Sequence, residues 1–185
     1  SGWPFFRGQI IARADNKAIN SLADCKGRRW IAVDPTSTGG YLLVLGHFHM
    51  HGIFPQDFAS IDFAPGVGGK QENVVMAVYS GQYDFGSVRD GTLPLLADKI
   101  DLSRIKVVDE TKPYPGWMFA ARTGFAPDRL ERIKQAMFAL DYAEPEQRFI
   151  LERGGMKAIL PAADKDFDPI RELMHTLRID KAARD

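Results

Sequence analysis

Apolar runs of strand length alternate with apolar runs of helix length through the middle of this chain. Strand-like runs lie at 29–33, 60–64, 84–88 and 106–108, and helix-like runs at 40–51, 72–79 and 92–99. Glycine, proline or clustered polar residues mark most of the boundaries between them. Strands that alternate with helices are typical of strand–helix–strand units, whose strands run parallel. The alternation predicts an α/β fold in which a central, mainly parallel sheet is flanked by helices.

The two ends of the chain carry different patterns from this middle part. Gln9–Arg13 is a strand-like run, and Lys112–Gly116 interrupts the alternation with two prolines and a glycine. Beyond that segment the sequence predicts a strand at 117–121 and helices at 127–140, 145–153 and 168–177. We interpret residues 14–112 as one complete α/β lobe, and residues 1–13 and 113–185 as crossing strands and a partial second lobe.

Charge gives this chain no long-range preference for a partner. Its 185 residues include 24 lysines and arginines and 24 aspartates and glutamates, so that the formal net charge is zero. A neutral chain has no extended field that would attract nucleic acid or an anionic membrane. We therefore expect no nucleic-acid partner, and any selectivity for an anion has to come from local groups.

Apolar runs and cysteine content leave the compartment open. The sequence contains no apolar run of about 18 residues or more, the length that a membrane span needs. Either the protein is cytosolic, or a leader and any membrane anchor lie outside this chain. Cys25 is the single cysteine, so an internal disulfide is excluded. For such a residue, the role of a small buried hydrophobe is more common than that of a nucleophile.

A polar turn, Thr36–Gly40, separates a buried strand from the first helix-like run. In open α/β sheets ligands bind beyond the carboxyl ends of the strands, where the next helix begins. Ser37 and Thr38 supply hydroxyl groups there, and Gly39 and Gly40 allow an anion to approach the backbone closely. A helix start adds about half a positive charge. The pattern suits a phosphate-like oxyanion, and it equally suits a capping turn that binds nothing.

The other motifs of the sequence give no support for catalysis. Residues 65–73 read PGVGGKQEN, which places Lys70 and Gln71 at a helix start but lacks the GxxxxGK[ST] spacing of nucleotide hydrolases. His47 and His51 share a helical face, yet no carboxylate or cysteine at a suitable spacing completes a metal site. Neither GxSxG nor HExxH occurs. We therefore expect no catalytic residue, no metal and no cofactor, and hence no enzyme.

Several segments of the chain together resemble one family of binding proteins. NSLADCKGRRWIAVDPTSTGGYL, residues 20–42, is similar to the signature of the phosphonate, phosphite and phosphate substrate-binding proteins of ABC importers, which have the type 2 periplasmic binding fold. The similarity continues at 74–86 and 155–169. The resemblance implies a periplasmic or other extracytoplasmic domain that binds a small phosphorus oxyanion between two lobes, without catalysis, for an ABC permease. A protein-interaction module without a ligand, on the same fold, is the alternative.

The resemblance also implies which residues contact the ligand. In that family an S-T-S turn at a helix start holds the anionic head; Ser37 and Thr38 match its first two members, and Gly39 replaces the second serine. A histidine common after the second glycine turn corresponds to Gln71. Arg89, just past a strand end, would add a bidentate donor. The expected ligand-binding residues are Ser37, Thr38, Gly39, Gly40, Tyr41, Gln71 and Arg89.

Two departures from the family pattern bear on architecture and partners. Complete members begin with a strand–helix half-lobe ahead of the segment that matches residues 4–13, and that part has no counterpart here. Half of the usual cleft would then be missing, unless the chain has been trimmed or another chain supplies it, for example in a homodimer. Residues 86–108 look more like the sensor versions of the fold, so a sensor-kinase output domain and a membrane anchor are further expectations.

Overall fold

The computed structural model describes residues 4–66 and 70–179, and the chain divides into two compact units. The larger unit comprises Phe6–Tyr114 together with the chain from Pro169 onward. The smaller unit comprises Pro115–Asp168 together with the residues before Phe6. The chain passes from the larger to the smaller unit within Lys112–Gly116, the segment that the sequence indicates as a crossing.

One mixed sheet forms the centre of the larger unit. Within the described residues the strands are β1 (Phe5–Phe6), β2 (Gly8–Arg13), β3 (Arg29–Ala32), β4 (Ser60–Phe63), β5 (Phe85–Arg89), β6 (Ile105–Glu110) and β7 (Tyr114–Pro115). β1 pairs with β7, and the other five strands form a sheet in the order β4–β3–β5–β2–β6. β3 runs parallel to β4 and β5, whereas β2 runs antiparallel to β5 and β6. The sheet is therefore mixed, and the prediction of a mainly parallel sheet is wrong in this respect, because the hydrophobic pattern of a strand such as β2 carries no information on its direction.

Most of the predicted helices are formed. They are α1 (Leu43–Met50), α2 (Lys70–Tyr79), α3 (Pro127–Phe138), α4 (Pro145–Arg153) and α5 (Asp168–Thr176). The helix predicted at 92–99 is only a short 3₁₀ segment, Leu93–Leu96, in which Pro94 lacks the N–H that a longer helix needs. The glycine-rich turn predicted before α2 includes residues 67–69, which lie outside the described residues.

Aromatic rings join α1 to one face of the sheet. Trp30 of β3 is fully buried, and its ring centroid lies 5.4 Å from Phe48, 5.3 Å from Phe58 and 5.9 Å from Phe85. Such ring pairs stabilise a core by about 0.5–1.5 kcal/mol each beyond the burial of their area. The buried thiol of Cys25 belongs to the same core, and burial raises its pKa to about 12. Its predicted role as a buried hydrophobe is confirmed.

α5 packs on the larger unit. Leu173 lies in a buried cluster with Phe6, Leu43 and Tyr114, and its Cδ1 comes within 2.0 Å of the position that a Cβ on Gly46 would take. The glycine therefore leaves a notch on α1 for this leucine. The sequence interpretation grouped 113–185 with the partial lobe, and it could not foresee this contact because the notch depends on how the two helices meet.

The smaller unit carries helices α3 and α4 and a segment without regular structure. The strand predicted at 117–121 is not formed. A strand requires backbone pairing, and within the described residues no partner strand lies beside this segment. Its side chains are exposed, with Trp117 at 91% and Phe119 at 71% of their full accessibility. Phe149 and Ile150 of α4 are exposed as well. Several large apolar side chains of the smaller unit are therefore exposed instead of packed in a core.

Candidate functional site

A tight turn links the end of β3 to the helix that follows. The Asp34 carboxylate accepts hydrogen bonds from the Thr36 amide at 2.8 Å and from the Thr36 hydroxyl at 2.7 Å. The Ser37 amide donates to the Asp34 carbonyl oxygen at 3.1 Å. These local bonds fix the turn before any ligand is present, because each forms within three residues of Asp34.

The pKa of Asp34 provides a test of this turn. The side-chain hydrogen bond from Thr36 is the first cause that holds this pKa below its ordinary value of 3.8. The bonds to the carboxylate therefore stabilise the folded state above about pH 3.8, and that contribution is lost as the pH falls through the lower folded-state pKa. In Thr36→Val we expect the pKa of Asp34 to rise towards 3.8, as followed by NMR titration of the carboxyl carbon.

A second turn of the same kind supplies the control. Asp101 accepts from the amide and the hydroxyl of Ser103, and its pKa is also lowered, first by the Ser103 side chain. Thr36→Val should leave the pKa of Asp101 unchanged. A pKa of Asp34 that stays low in the variant would show that the Thr36 hydroxyl does not hold the carboxylate.

Ser37 caps the helix start, and the helix opens with a wide turn. Its Oγ accepts from the Gly40 amide at 3.2 Å, and its carbonyl oxygen accepts from the Tyr41 and Leu42 amides at 3.1 and 2.9 Å. Thr38–Leu42 is a π-helical turn that leads into α1, so helical backbone begins two residues before the predicted Gly40. Among the described residues, the amides of Thr38 and Gly39 and the Thr38 hydroxyl have no hydrogen-bond partner. The turn therefore keeps three donors available.

Both glycines of the turn are closely packed, and Gly40 more so than Gly39. A Cβ on Gly40 would lie 2.2 Å from Val33 Cγ2. A Cβ on Gly39 would lie 3.0 Å from Phe6 Cε2 and 3.1 Å from Arg89 Cβ. The Gly40 contact leaves no room for a side chain, whereas the Gly39 contacts would require Phe6 and Arg89 to move by a few tenths of an ångström. Gly39, which replaces the second serine of the family pattern, therefore packs closely against Phe6 and Arg89.

Ser87 is a site residue that the sequence analysis missed. Its side chain is fully buried, accepts a hydrogen bond from Trp30 Nε1 at 2.8 Å and donates to the Gly40 carbonyl oxygen at 2.6 Å. This chain of two bonds ties the carbonyl group of Gly40 to β5 and does not involve the amides of Thr38 and Gly39. A lone serine within the apolar strand FGSVR is the signal that could have identified it, because a buried hydroxyl needs partners.

Arg89 and Gln71 lie next to the turn at the carboxyl ends of the parallel strands. The Arg89 amide donates to Gln71 Oε1 at 2.9 Å, which joins β5 to the first turn of α2. The Arg89 guanidinium lies over the Phe6 ring, with Cζ 4.6 Å from the centroid. Lys70 Nζ lies 3.8 Å from Asp34 Oδ2. The starts of two helices thus lie close to the ends of β3 and β5.

The seven predicted site residues fall into two groups. The structure brings Ser37, Thr38, Gly39, Gly40, Gln71 and Arg89 together. The Tyr41 ring instead packs against Trp30, at a centroid distance of 5.4 Å, and Phe63, at 5.1 Å, and burial raises its pKa. One residue further along a helix turns the side chain by roughly 100°. Tyr41 therefore packs on the aromatic core, and its assignment to the ligand stays a prediction.

His47 of α1 and His51, which follows α1, contact protein groups. His47 Nε2 lies 3.3 Å from Asp109 Oδ2, and His51 Nδ1 lies 2.9 Å from the His47 carbonyl oxygen. In the described ranges no three histidine, cysteine or acidic side chains are grouped closely enough to hold a metal. Two concave sites of about 280 and 450 Å³ occur elsewhere in the larger unit, and neither is lined by the turn. The arrangement at the turn is suited to binding an anion through donors.

Comparison with known proteins identifies relatives that bind phosphorus compounds. The Phosphate-import protein PhnD of Mycolicibacterium smegmatis is 27% identical, over 93% of this chain and 58% of the relative. The Phosphonates-binding periplasmic protein of Escherichia coli is also 27% identical, over 93% of this chain and 51% of the relative. The chain thus spans little more than half the length of these relatives.

A solved structure shares the fold. PhnD1 from Prochlorococcus marinus, in complex with methylphosphonate, superposes with a TM-score of 0.77 at 19% identity, over 95% of this chain and 68% of PhnD1. The predicted fold class, an α/β fold of the type 2 periplasmic binding kind, is confirmed by this likeness. None of the helices in 4–66 and 70–179 is long and apolar enough to cross a bilayer.

The family follows from the extent of the sequence match. The family described as "ABC transporter, phosphonate, periplasmic substrate-binding protein" matches residues 1–167, which is most of the chain. This match confirms the resemblance that residues 20–42 carry. The chain belongs to the family of periplasmic substrate-binding proteins of phosphonate ABC transporters.

Proposed function

We propose that the turn at 36–40 holds the anionic head of a small phosphorus oxyanion, namely a phosphonate, phosphite or phosphate. The observation that carries the proposal is the pair of amides of Thr38 and Gly39, which have no acceptor among the described residues and lie at a helix start. Helix starts attract anions because their N–H groups and dipole point at the ligand. The binding protein PhnD1, of similar fold, is known in complex with methylphosphonate.

The fixed geometry of the turn supports this function. Asp34 and Ser37 form hydrogen bonds to backbone amides of the turn, and Ser87 donates to the Gly40 carbonyl oxygen. Because these bonds already fix the backbone, little conformational freedom is lost when a ligand binds. Gln71 uses its oxygen on the Arg89 amide, which leaves its side-chain NH₂ group as a further donor. Backbone amide, hydroxyl and side-chain amide donors of this kind suit the oxygen atoms of a tetrahedral anion.

Membership in the family supports the partner and the compartment. We infer a periplasmic protein that passes its ligand to an ABC permease and carries out no chemical step on it, since the family consists of substrate-binding transport proteins. The sensor-kinase output domain, the membrane anchor and the homodimer considered from the sequence stay predictions.

NMR titration of isotope-labelled protein tests the proposed site. With methylphosphonate, phosphite or phosphate, we expect saturable shifts of the Thr38 and Gly39 amides. Thr38→Val should weaken binding about tenfold or more, because a hydrogen bond to a charged group contributes about 1.5–3 kcal/mol. Ser103→Ala, which removes a hydroxyl from the remote Asp101 turn, should leave the affinity unchanged.

Chloride at matched ionic strength controls for non-specific effects. If the three oxyanions shift the Thr38 and Gly39 amides no more than chloride does, in a protein that remains folded, the binding function fails. That result would favour the interaction module without a ligand.

A further inference from the structure

The stem of Arg89 lies beside the turn, next to the position from which the missing serine side chain would extend. Its Cβ and Cγ lie 3.1 and 3.3 Å from the position of a Cβ on Gly39. Its guanidinium carbon lies 4.6 Å from the centre of the Phe6 ring, and its Nε lies 3.9 Å from Asp90 Oδ1. The stem is thus confined by Gly39, and the head group is positioned by an aromatic face and a carboxylate.

The head group of Arg89 keeps most of its hydrogen-bonding capacity. A guanidinium has five N–H donors in a planar fork. Its distance to Asp90 is that of an ion pair, longer than a hydrogen bond. Within the described residues no acceptor lies within hydrogen-bonding distance of either Nη group. The side chain is 39% exposed, so solvent reaches it. Two adjacent N–H groups therefore remain for a bidentate contact with an oxyanion.

Arg89 supplies the positive charge next to the turn. Ser37, Thr38 and Gly39 offer uncharged donors, which distinguish the shape of an anion better than its charge. Lys70, a second cation near the turn, is paired with Asp34 at 3.8 Å. The Asp90 carboxylate lies 3.9 Å from Arg89 Nε, so it competes with an anionic ligand for the guanidinium. Arg89 is thus the group whose attraction rises with each negative charge on the ligand.

We infer that Arg89 is a specificity-determining residue that selects doubly charged oxyanions over singly charged ones of the same shape. In chemical terms it favours an alkylphosphonate dianion over an alkylsulfonate monoanion. Where the family pattern has a serine hydroxyl as a neutral donor, this chain has Gly39 with the Arg89 guanidinium beside it. Recognition by a charged group thus takes the place of recognition by a neutral one. This inference rests on the proposed function, because it assigns a role within the same site.

Methylphosphonate and methanesulfonate have the same shape and different charge, so their affinities test the inference. The titration is run at about pH 9.5, because an alkylphosphonate, with carbon in place of the ester oxygen, loses its second proton at a higher pH than a phosphate ester, whose second pKa is about 6. For the unmodified protein we expect methylphosphonate to bind at least about tenfold more tightly than methanesulfonate. Arg89→Gln should reduce this ratio to within about threefold, and Asp90→Asn should increase it, because the competing carboxylate is removed.

Arg89→Lys separates charge from geometry. It should keep a preference for the dianion while weakening both ligands, since lysine retains the charge and loses the planar fork. If methylphosphonate binds the unmodified protein and Arg89→Gln leaves the ratio unchanged, this inference is wrong and the proposed function stands. A ratio that Asp90→Asn leaves unchanged or lowers would also overturn it. Absence of saturable binding by the unmodified protein would instead reject the proposed function.

Discussion

Replacing Gly40 by alanine is expected to destabilise the larger unit by about 3 kcal/mol, the upper part of the range for overpacked cores. The added Cβ would lie 2.2 Å from Val33 Cγ2 and 2.8 Å from Val33 Cβ. Val33 is 5% exposed and directly follows β3, so it cannot move aside as a flexible chain end could. Urea unfolding followed by circular dichroism measures the effect, and the Thr38 and Gly39 amides should lose their response to methylphosphonate.

Gly27→Ala is the matched control for this substitution. Gly27 has a positive φ of 71° and nothing within 4 Å of an added Cβ, so only backbone strain of roughly 1 kcal/mol is expected. Val33→Ala combined with Gly40→Ala should recover part of the loss, because it removes Val33 Cγ2, the atom nearest to the new Cβ. Equal stabilities of Gly40→Ala and Gly27→Ala would show that the turn is not packed as closely as described.

Ser87→Ala is expected to cost about 2–3 kcal/mol, because it leaves the buried Trp30 indole N–H without an acceptor and the Gly40 carbonyl oxygen with only the Val33 amide, at 3.4 Å. Trp30 Nε1 would lose its acceptor, and the Gly40 carbonyl oxygen would lose the donor at 2.6 Å. Both losses occur in a fully buried position, where water cannot replace the hydroxyl. Urea unfolding gives the free energy, and hydrogen exchange at the Gly40 amide should report the looser turn.

Ser80→Ala controls for the loss of a serine hydroxyl. The Ser80 hydroxyl donates to the Ala77 carbonyl oxygen at 3.2 Å in an exposed position, so its removal should change the stability by less than about 0.5 kcal/mol. A double-mutant cycle with Trp30→Phe tests whether the two residues act together. Additive effects in that cycle would contradict the bond chain from Trp30 through Ser87 to Gly40.

The sequence predicts those parts of the site that are formed by residues close together in the chain. Ser37 as a cap and Gly39 with Gly40 beside a strand end follow from turn and capping preferences within a few residues. Helix α4 was predicted with the bounds that it has, since Pro145 and the glycine after Arg153 mark its ends. The prediction of a strand at 117–121 was wrong, because an apolar run becomes a strand only where a partner strand pairs with it.

The parts that sequence reasoning missed depend on strand pairing. Phe6 reaches Arg89 because β2 runs antiparallel to β5 with Gly8 opposite Arg89, and no local pattern specifies that direction. Ser87 reaches Gly40 across 47 positions in the chain. One signal was available in Gly8, where a Cβ would lie 2.8 Å from the Gly39 carbonyl oxygen. A glycine inside a strand often marks such a close approach of another backbone.

The bond chain from Trp30 through Ser87 to Gly40 makes the buried indole an optical reporter of the turn. Its emission depends on the hydrogen bond of Nε1 at 2.8 Å, so a shift of the Gly40 carbonyl would change the fluorescence. Trp117, at 91% exposure, emits from water and carries no such information. With Trp3 and Trp117 replaced by phenylalanine, the light from the single remaining tryptophan would follow occupancy of the turn without any attached label.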